Sequence, residues 1–329
     1  MSEVLKVENL RTYFHTKDGK LPAVDGVSFS LEAGKVLGIV GESGCGKSVT
    51  SLSIMGLLPP QTTEILPGSS VKLMGEELVG KSNREMCKIR GDKIAMIFQD
   101  SMTSLNPVMR VGDQLMETIR VHRKLTKKQA KQEAVAMLKK VGIPNPEARM
   151  KNYPHEMSGG MRQRVMIAMA LSCSPSVLIA DEPTTALDVT IQAQILELML
   201  ELRENSNTAV VLITHDMGVV AEMADEIMVM YTGRVVEKGT AAEIFKNPLH
   251  PYTQGLLASI PRVDQKVEKL HVTKGMVPNL FELPQGCKFA DRCPYASGRC
   301  GREEPELLDK DGHLVRCFLC LKGECEHGG

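Results

Sequence analysis

The chain has 329 residues, 43% hydrophobic and 24% charged, with 40 basic and 40 acidic side chains and a formal net charge of zero. That size holds one large domain with an appendage or two modest domains, and the neutral balance gives the whole molecule no electrostatic pull toward DNA, RNA or anionic lipid. Aromatic residues are 4% and tryptophan is absent, which speaks against base-stacking platforms; no run approaches the ~20 apolar residues of a membrane span.

The N-terminus, MSEVLKVENL, lacks the basic-then-apolar order of a secretory signal, so a cytosolic chain is expected. VLKVENL and VSFSLEAG alternate like half-exposed strands. KVLGIVG is a short apolar run that leads into GESGCGKS, Gly41 to Ser48, and SVTSLSIMGLL then takes helical spacing. The predicted apolar face of that helix is Val49, Leu52, Met55 and Leu58. IAMIFQ (94–99) reads as a buried strand. KLTKKQAKQEAVAMLKKVGIP reads as an amphipathic helix with a Thr126–Gln129 capping box, an inner face of Ala130, Ala134, Met137, Leu138 and Val141, and a stop at Gly142. Its lysines read as a solvated face.

VLIADE (177–182) and VVLIT (210–214) are continuous apolar runs. That pattern suits strands covered on both sides by helices, as in a parallel α/β sheet. Between them, IQAQILELMLELREN places Ile191, Ile195, Leu198 and Leu202 on one stripe. Thr240 and Glu243 cap a short helix, AAEIFKNP; from about Asn247 the chain becomes richer in Pro, Gly and Cys. A domain change is expected within 235–260.

GESGCGKS fits GxxxxGK[ST] through Gly41, Gly46, Lys47 and Ser48. Glycines let the backbone N–H groups of Ser43, Gly44, Cys45, Gly46 and the residues through Val49 curl around a phosphate chain at a helix N-terminus. Lys47 reaches the β and γ phosphates, and Ser48 holds Mg²⁺. A plain Gly-rich turn is the competing reading, and the strand before it and the helix after it disfavour that. Asp181 and Glu182 end a buried strand, where Asp181 can hold Mg²⁺ through water and Glu182 can polarise an attacking water. MSGGMRQR (Met157–Arg164) opens a second helix on Ser158, Gly159 and Gly160, again an anion-friendly end.

With these residues in place, the sequence resembles the nucleotide-binding subunits of ABC transporters. The triplet Ser158-Gly159-Gly160 is similar to that family's LSGGQ signature, with Met157 and Met161 in place of Leu and Gln. The resemblance implies an α/β fold: a P-loop NTPase ABC nucleotide-binding domain with a RecA-like core, an antiparallel β subdomain and a helical subdomain, followed by a small Cys-rich C-terminal extension. The implied division is an ATPase domain over 1–245, its helical subdomain about 100–170, and an extension over 246–329. The resemblance also makes Gln99 the Q-loop glutamine, touching Mg²⁺ or the water, Asp188 the D-loop acid, and His215 the histidine that contacts the γ phosphate. It asks for an aromatic on adenine, Tyr13 or Phe14. Two cassettes would meet head to tail, with ATP between the Gly41–Ser48 loop of one and the Ser158–Gly160 turn of the other.

KNPLHPYTQGLLASIPR (246–262), centred on His250, Pro251 and Tyr252, and DSMTSLNPVMRVGDQL resemble the dipeptide and oligopeptide importer ATPases. The implied partners are a second ABC ATPase subunit in a heterodimer, two integral-membrane permease subunits, and an extracellular or periplasmic solute-binding protein, with no nucleic acid. The implied place is the cytoplasmic face of the membrane. Nickel or another small solute is the alternative cargo, and a soluble ABC ATPase outside transport is the alternative of another class. Cys287, Cys293, Cys300 and Cys317 supply four sulfurs, enough for a [4Fe–4S] cluster or for tetrahedral Zn²⁺. The subfamily implies the cluster. Cys317 and Cys320 form a CxxC, so Cys320 is an alternative ligand, and Cys325 is a spare.

Overall fold

The structure is a computed structural model, which describes residues 2–100, 104–184, 187–259 and 275–322. Its strands are β1 (Glu3–Thr16), β2 (Gly19–Glu32), β3 (Val36–Val40), β4 (Thr63–Ile65), β5 (Ser70–Leu73), β6 (Glu76–Glu77), β7 (Ile94–Ile97), β8 (Val177–Asp181), β9 (Ala209–Ile213), β10 (Glu226–Tyr231), β11 (Arg234–Thr240), β12 (Leu308–Lys310) and β13 (His313–Val315). The α-helices among the described residues are α1 (Lys47–Met55), α2 (Asn83–Ile89), α3 (Val111–Arg123), α4 (Lys127–Lys140), α5 (Pro146–Arg149), α6 (Gly159–Leu171), α7 (Val189–Ser206), α8 (Met217–Met223), α9 (Ala241–Lys246) and α10 (Pro251–Ala258). The chain falls into two compact units: one holds residues 1–5, 31–35 and 73–212, and the other holds 6–30, 36–72 and 213–329.

In the first unit, β9, β8 and β7 follow one another in that order in the sheet. β7 and β8 are parallel, with Ile94 opposite Val177 and Ile97 opposite Ala180. Every residue of β7, β8 and β9 is buried, as uninterrupted apolar runs require when both faces are covered. Helix α4 starts where its capping box predicts, with Thr126 accepting from the Gln129 N–H and Gln129 returning to the Thr126 backbone. Ala130, Ala134, Leu138 and Val141 are buried, Met137 is half-buried, and Gly142 stops the helix at φ +71°. The α7 stripe buries Ile195, Leu198 and Leu202 and widens to Leu196 and Met199, while Ile191 at the helix start is half-buried.

In the second unit, the sheet order is β12-β13-β11-β10-β3. β10 lies parallel to β3 and antiparallel to β11. The tail adds its own hairpin at that edge: β13 pairs with β11, Glu237 opposite Val315, and β12 pairs with β13. Residues on both sides of position 245 therefore share one sheet. Of the predicted face of helix α1, Met55 is buried and the rest is not. Val49 and Leu52 are only half-buried, and Gly56 ends the helix in the left-handed region before Leu58. The buried positions include Thr50, Ser51 and Ser53. Their hydroxyls donate to Gly46, Ser48 and Val49 carbonyls, and Ser53 also meets Thr12 of β1 at 2.8 Å. Polar side chains satisfied in this way bury without loss, so apolar periodicity alone mis-set this face.

The tail is anchored on Glu237, a fully buried carboxylate in β11. It accepts from the Leu249 N–H at 2.6 Å, the His250 N–H at 3.0 Å and His313 Nε2 at 2.8 Å. His250 in turn caps α10, its Nδ1 accepting from the Tyr252 N–H at 3.0 Å. That bond needs a neutral ring. Burial pulls the His250 pKa down to about 4, against an opposing pull from Glu237. The unfolded chain takes up this proton near pH 6.5 and the folded chain resists until about 4, so stability falls as pH drops through that window, by up to about 3 kcal/mol. Asparagine keeps an acceptor at the cap but cannot titrate. His250→Asn should flatten the loss of denaturant midpoint between pH 6.5 and 4; a slope equal to that of the unsubstituted chain would contradict this assignment.

Candidate nucleotide-binding site

The second unit carries the glycine-rich loop. β3 runs buried to Val40 and the chain then turns at Gly41, φ +150°. A Cβ on Gly41 would meet the Met230 carbonyl oxygen at less than a bond-free distance, and one on Gly46, φ +99°, would lie 2.5 Å from the Ala23 carbonyl oxygen. Only glycine allows both close approaches. Gly46 caps α1 in the left-handed region with no side-chain cap bond, and the first N–H groups of a helix have no partner within it. Lys47 Nζ bridges the loop by donating to the Gly41 and Glu42 carbonyls, at 2.7 and 3.0 Å. Cys45 is buried, whereas Ser43 and Gly44 are exposed. Burial raises the Cys45 thiol pKa, so this cysteine packs as a neutral side chain.

The same unit places His215. Thr214 donates from its N–H to the Ile39 carbonyl of β3 at 3.4 Å. His215 follows, exposed, beside the end of the strand that feeds the loop. Asp216 then caps α8, accepting from the Gly218 N–H at 2.8 Å. Of the two aromatics, Tyr13 stands opposite Glu64 and Phe14 opposite Thr63. Tyr13 donates to Asp25 Oδ1 at 3.5 Å, and Asp25 is also held by Arg234 at 2.6 Å. Successive strand residues face opposite ways, so Phe14 shares the face of Thr12, which meets Ser53 of α1.

The first unit carries the remaining candidates. Asp181 ends β8 and is 3% exposed. Gln99 follows β7 on an exposed turn. Because β7 and β8 are parallel neighbours, Gln99 and Asp181 leave the same end of the sheet. Glu182 adopts φ +47°, a conformation that costs a non-glycine residue on the order of 1 kcal/mol or more and is concentrated at functional sites. Ser158 caps α6, accepting from the Met161 N–H at 3.3 Å, and Gly159 has open space beside it. Met157 is buried, so in the Leu position of the signature it acts through packing. Asp188 caps α7, accepting from the Ile191 N–H at 3.0 Å. Residues 101–103 and 185–186, which carry parts of DSMTSLNP and TALD, lie outside the described residues.

The tail cysteines form a third group. Cys287, Cys293, Cys300 and Cys317 are free thiols and line one cavity with His250, Phe289, Tyr295, Phe318 and Leu319. Cys320, the alternative ligand, is buried and disulfide-bonded in this structure; Cys325 lies outside the described residues. Burial, and then the repulsion of neighbouring thiolates, push the Cys287 and Cys293 pKa values up to about 11. Four thiols in an apolar-walled cavity fit a cluster's donor set. Among the described residues, however, no three His, Cys, Asp or Glu side chains are arranged around a single metal ion. The sulfurs are therefore not drawn together around one centre, either for Zn²⁺ or for a cluster.

Comparison with known proteins decides the family. Residues 24–185 match the ABC transporter family model, and residues 236–300 match the C-terminal region of oligopeptide/dipeptide transporters. The oligopeptide transport ATP-binding protein AppD of Bacillus subtilis is 55% identical over 320 residues, 97% of each chain. The chain belongs to the ABC transporter ATP-binding proteins. The dipeptide transport ATP-binding protein DppD of B. subtilis is 53% identical over 97% of this chain and 95% of its own. The oligopeptide transport ATP-binding protein OppD of Salmonella typhimurium is 51% identical over 96% and 93%. The ATP-binding cassette MJ0796, solved as a dimer bound to ADP and phosphate, superposes with a TM-score of 0.66 at 26% identity, over 72% of this chain and 98% of its own. The fold is thus that of an ABC ATPase cassette, mixed α/β.

Three residues of this ABC ATPase escape a motif reading. Gln163, buried in α6, donates from its side-chain amide to the Pro183 carbonyl, next to Glu182. It lies two residues past the signature, and nothing marks it but its place in MRQR. Glu237 resembles a surface acid in RVVEKGT. Arg292 sits in KFADRCP, far from the loop in sequence, yet it grips Glu42.

Proposed function

We propose that this chain is the ATP-hydrolysing subunit of an importer for dipeptides or oligopeptides, working at the cytoplasmic face of a membrane with a sibling ATPase, two permease subunits and a solute-binding protein. The observation that carries this reading is full-length similarity to peptide-transport ATP-binding proteins, the tail included. Among the described residues, no helix is long and apolar enough to cross a membrane, so the path for solute belongs to other chains.

In this reading, Lys47 exchanges its loop carbonyl partners for the β and γ phosphates, and the N–H groups of Ser43 through Val49 receive phosphate oxygens. Ser48, Gln99 and Asp181 are the residues that would hold Mg²⁺; when bound, the ion offsets charge on the phosphates. Phe14 stacks on adenine, because Tyr13 is committed to Asp25 on the other face. Glu182 accepts the proton of the attacking water, the water oxygen bonds to the γ phosphorus, and the bond to the β-phosphate oxygen breaks, giving ADP and phosphate. His215 steadies the γ phosphate. Ser158, Gly159 and Gly160 offer N–H donors to the γ phosphate held by the facing cassette, with Asp188 near that junction. ATP then closes the pair and hydrolysis releases it.

Cys287, Cys293, Cys300 and Cys317 would hold a [4Fe–4S] cluster, which when bound cross-links a tail segment poor in large apolar side chains. Protein purified without oxygen should absorb near 400 nm, and Cys293→Ser should abolish that band; a colourless unsubstituted chain would contradict the cluster.

The full assembly in proteoliposomes tests the function. Peptide-loaded solute-binding protein should raise ATP turnover, and Glu182→Gln should bind ATP, hold the closed pair, and lower kcat by roughly 100-fold or more. Stimulation by a nickel-loaded binding protein instead would transfer the assignment to the metal solute. Unchanged turnover in Glu182→Gln would overturn the role given to Glu182.

A further inference from the structure

Glu42 follows Gly41 and begins the phosphate loop proper. Its N–H donates to Tyr252 Oη at 2.8 Å. Its carboxylate receives both arms of the Arg292 guanidinium, Nη1 to Oε2 at 2.8 Å and Nη2 to Oε1 at 2.9 Å. Its carbonyl accepts from Lys47 Nζ. One residue therefore joins the phosphate-binding lysine on one side to two residues of the tail on the other.

The grip is built for position. Arg292 is 6% exposed as a side chain. Its guanidinium lies 5.8 Å from the centroids of both Tyr231 and Phe289. Tyr231, Tyr252 and Phe289 pack on one another with centroids 4.7 to 5.4 Å apart. A bidentate Arg–carboxylate pair fixes direction as well as distance, and a shielded one loses little to solvent screening. Arg292 ends the short turn Ala290–Arg292, whose first N–H donates to the Cys287 carbonyl at 3.0 Å, and the next residue is Cys293. The support of Arg292 and the wall of the thiol cavity are thus the same stretch of chain.

We propose that Arg292 and Tyr252 are positioning residues of the phosphate-binding loop, so that the cysteine-rich tail is a working part of the nucleotide site. This rests on the reading of Gly41–Ser48 as the ATP loop. Held at both its N–H and its carboxylate, Glu42 cannot swivel, and the loop keeps the shape from which Lys47 passes from the Gly41 and Glu42 carbonyls to the phosphates. Freed, the loop must be ordered by ATP at the moment of binding, and that ordering cost weakens affinity. The chemistry at Glu182 is untouched, so the change falls on KM and leaves kcat in place.

The test is a titration of the full chain with a fluorescent ATP analogue, together with KM and kcat in the assembled transporter. Arg292→Ala and Glu42→Gln should each weaken nucleotide binding by roughly 5- to 20-fold, with kcat within about twofold. The double variant should be no weaker than the worse single one, because both remove one interaction. Arg292→Lys should recover less than half of the loss, since it keeps charge but not the fork. Tyr252→Phe, which removes one oxygen from a well-packed ring, should weaken binding in the same direction and carries the test if Arg292→Ala does not fold. Affinity within twofold of the unsubstituted chain in Glu42→Gln and Tyr252→Phe, or multiplying losses in the double variant, overturns the proposal. Lys47→Ala separates the two claims. Binding lost there but intact in the Glu42 and Tyr252 variants sinks the tail's role alone, whereas binding retained in Lys47→Ala sinks the loop assignment and this inference with it.

Discussion

The carbonyl oxygens of Met230 and Ala23 press on the backbone of Gly41 and Gly46 more closely than any side chain would allow. That crowding shapes the turn between β3 and α1. The Lys47 ammonium closes that turn by donating to the Gly41 and Glu42 carbonyls. Gly233 contributes from the other side: its carbonyl accepts from Asp25 and its N–H donates to Cys45, and it too could not carry a Cβ without meeting Ala23. Strand ends far apart in sequence thus build the wall on which the loop rests. The tail then adds a second hold through Glu42.

Much of this is legible in the sequence. The loop motif, the paired acids after an apolar strand and the Ser-Gly-Gly helix start rest on local chemistry, and local chemistry leaves a local signature. The capping boxes at Thr126 and Thr240 were legible for the same reason, as each needs only four consecutive residues. The burial of β8 and β9 followed from their lack of alternation. The face of α1 did not, because Thr50 and Ser53 bury through hydrogen bonds that hydrophobic periodicity cannot register. Arg292 and Glu42 stand 250 positions apart, and a pair at that separation leaves no pattern in either neighbourhood. Glu182 gave its acid to the sequence reading but not its left-handed backbone, which depends on the strand end and the turn after it.

The arrangement divides the work in a consistent way. The helix starts at Gly46 and Ser158 are the two ends that the proposed function assigns to anions, one opened by a glycine in the left-handed region and the other by a serine cap. The buried carboxylate of Glu237 is spent on structure, holding the hairpin of the tail and the start of α10 together. Glu182, half-buried just past the end of β8, is the carboxylate to which the proposed function gives the attacking water. The tail is continuous with the ATPase sheet through β13 and β11, so a change in the tail reaches the loop through packed rings and a charged fork.

Calorimetric titration of Mg²⁺-ATP into the unsubstituted chain and into Gly46→Ala tests the central claim most directly. The account predicts saturable binding of one nucleotide by the former and a loss of roughly tenfold or more in the latter, with cooperative unfolding retained in both. Equal affinity in the two would contradict it, because the crowded backbone at Gly46 would then have no part in receiving the triphosphate.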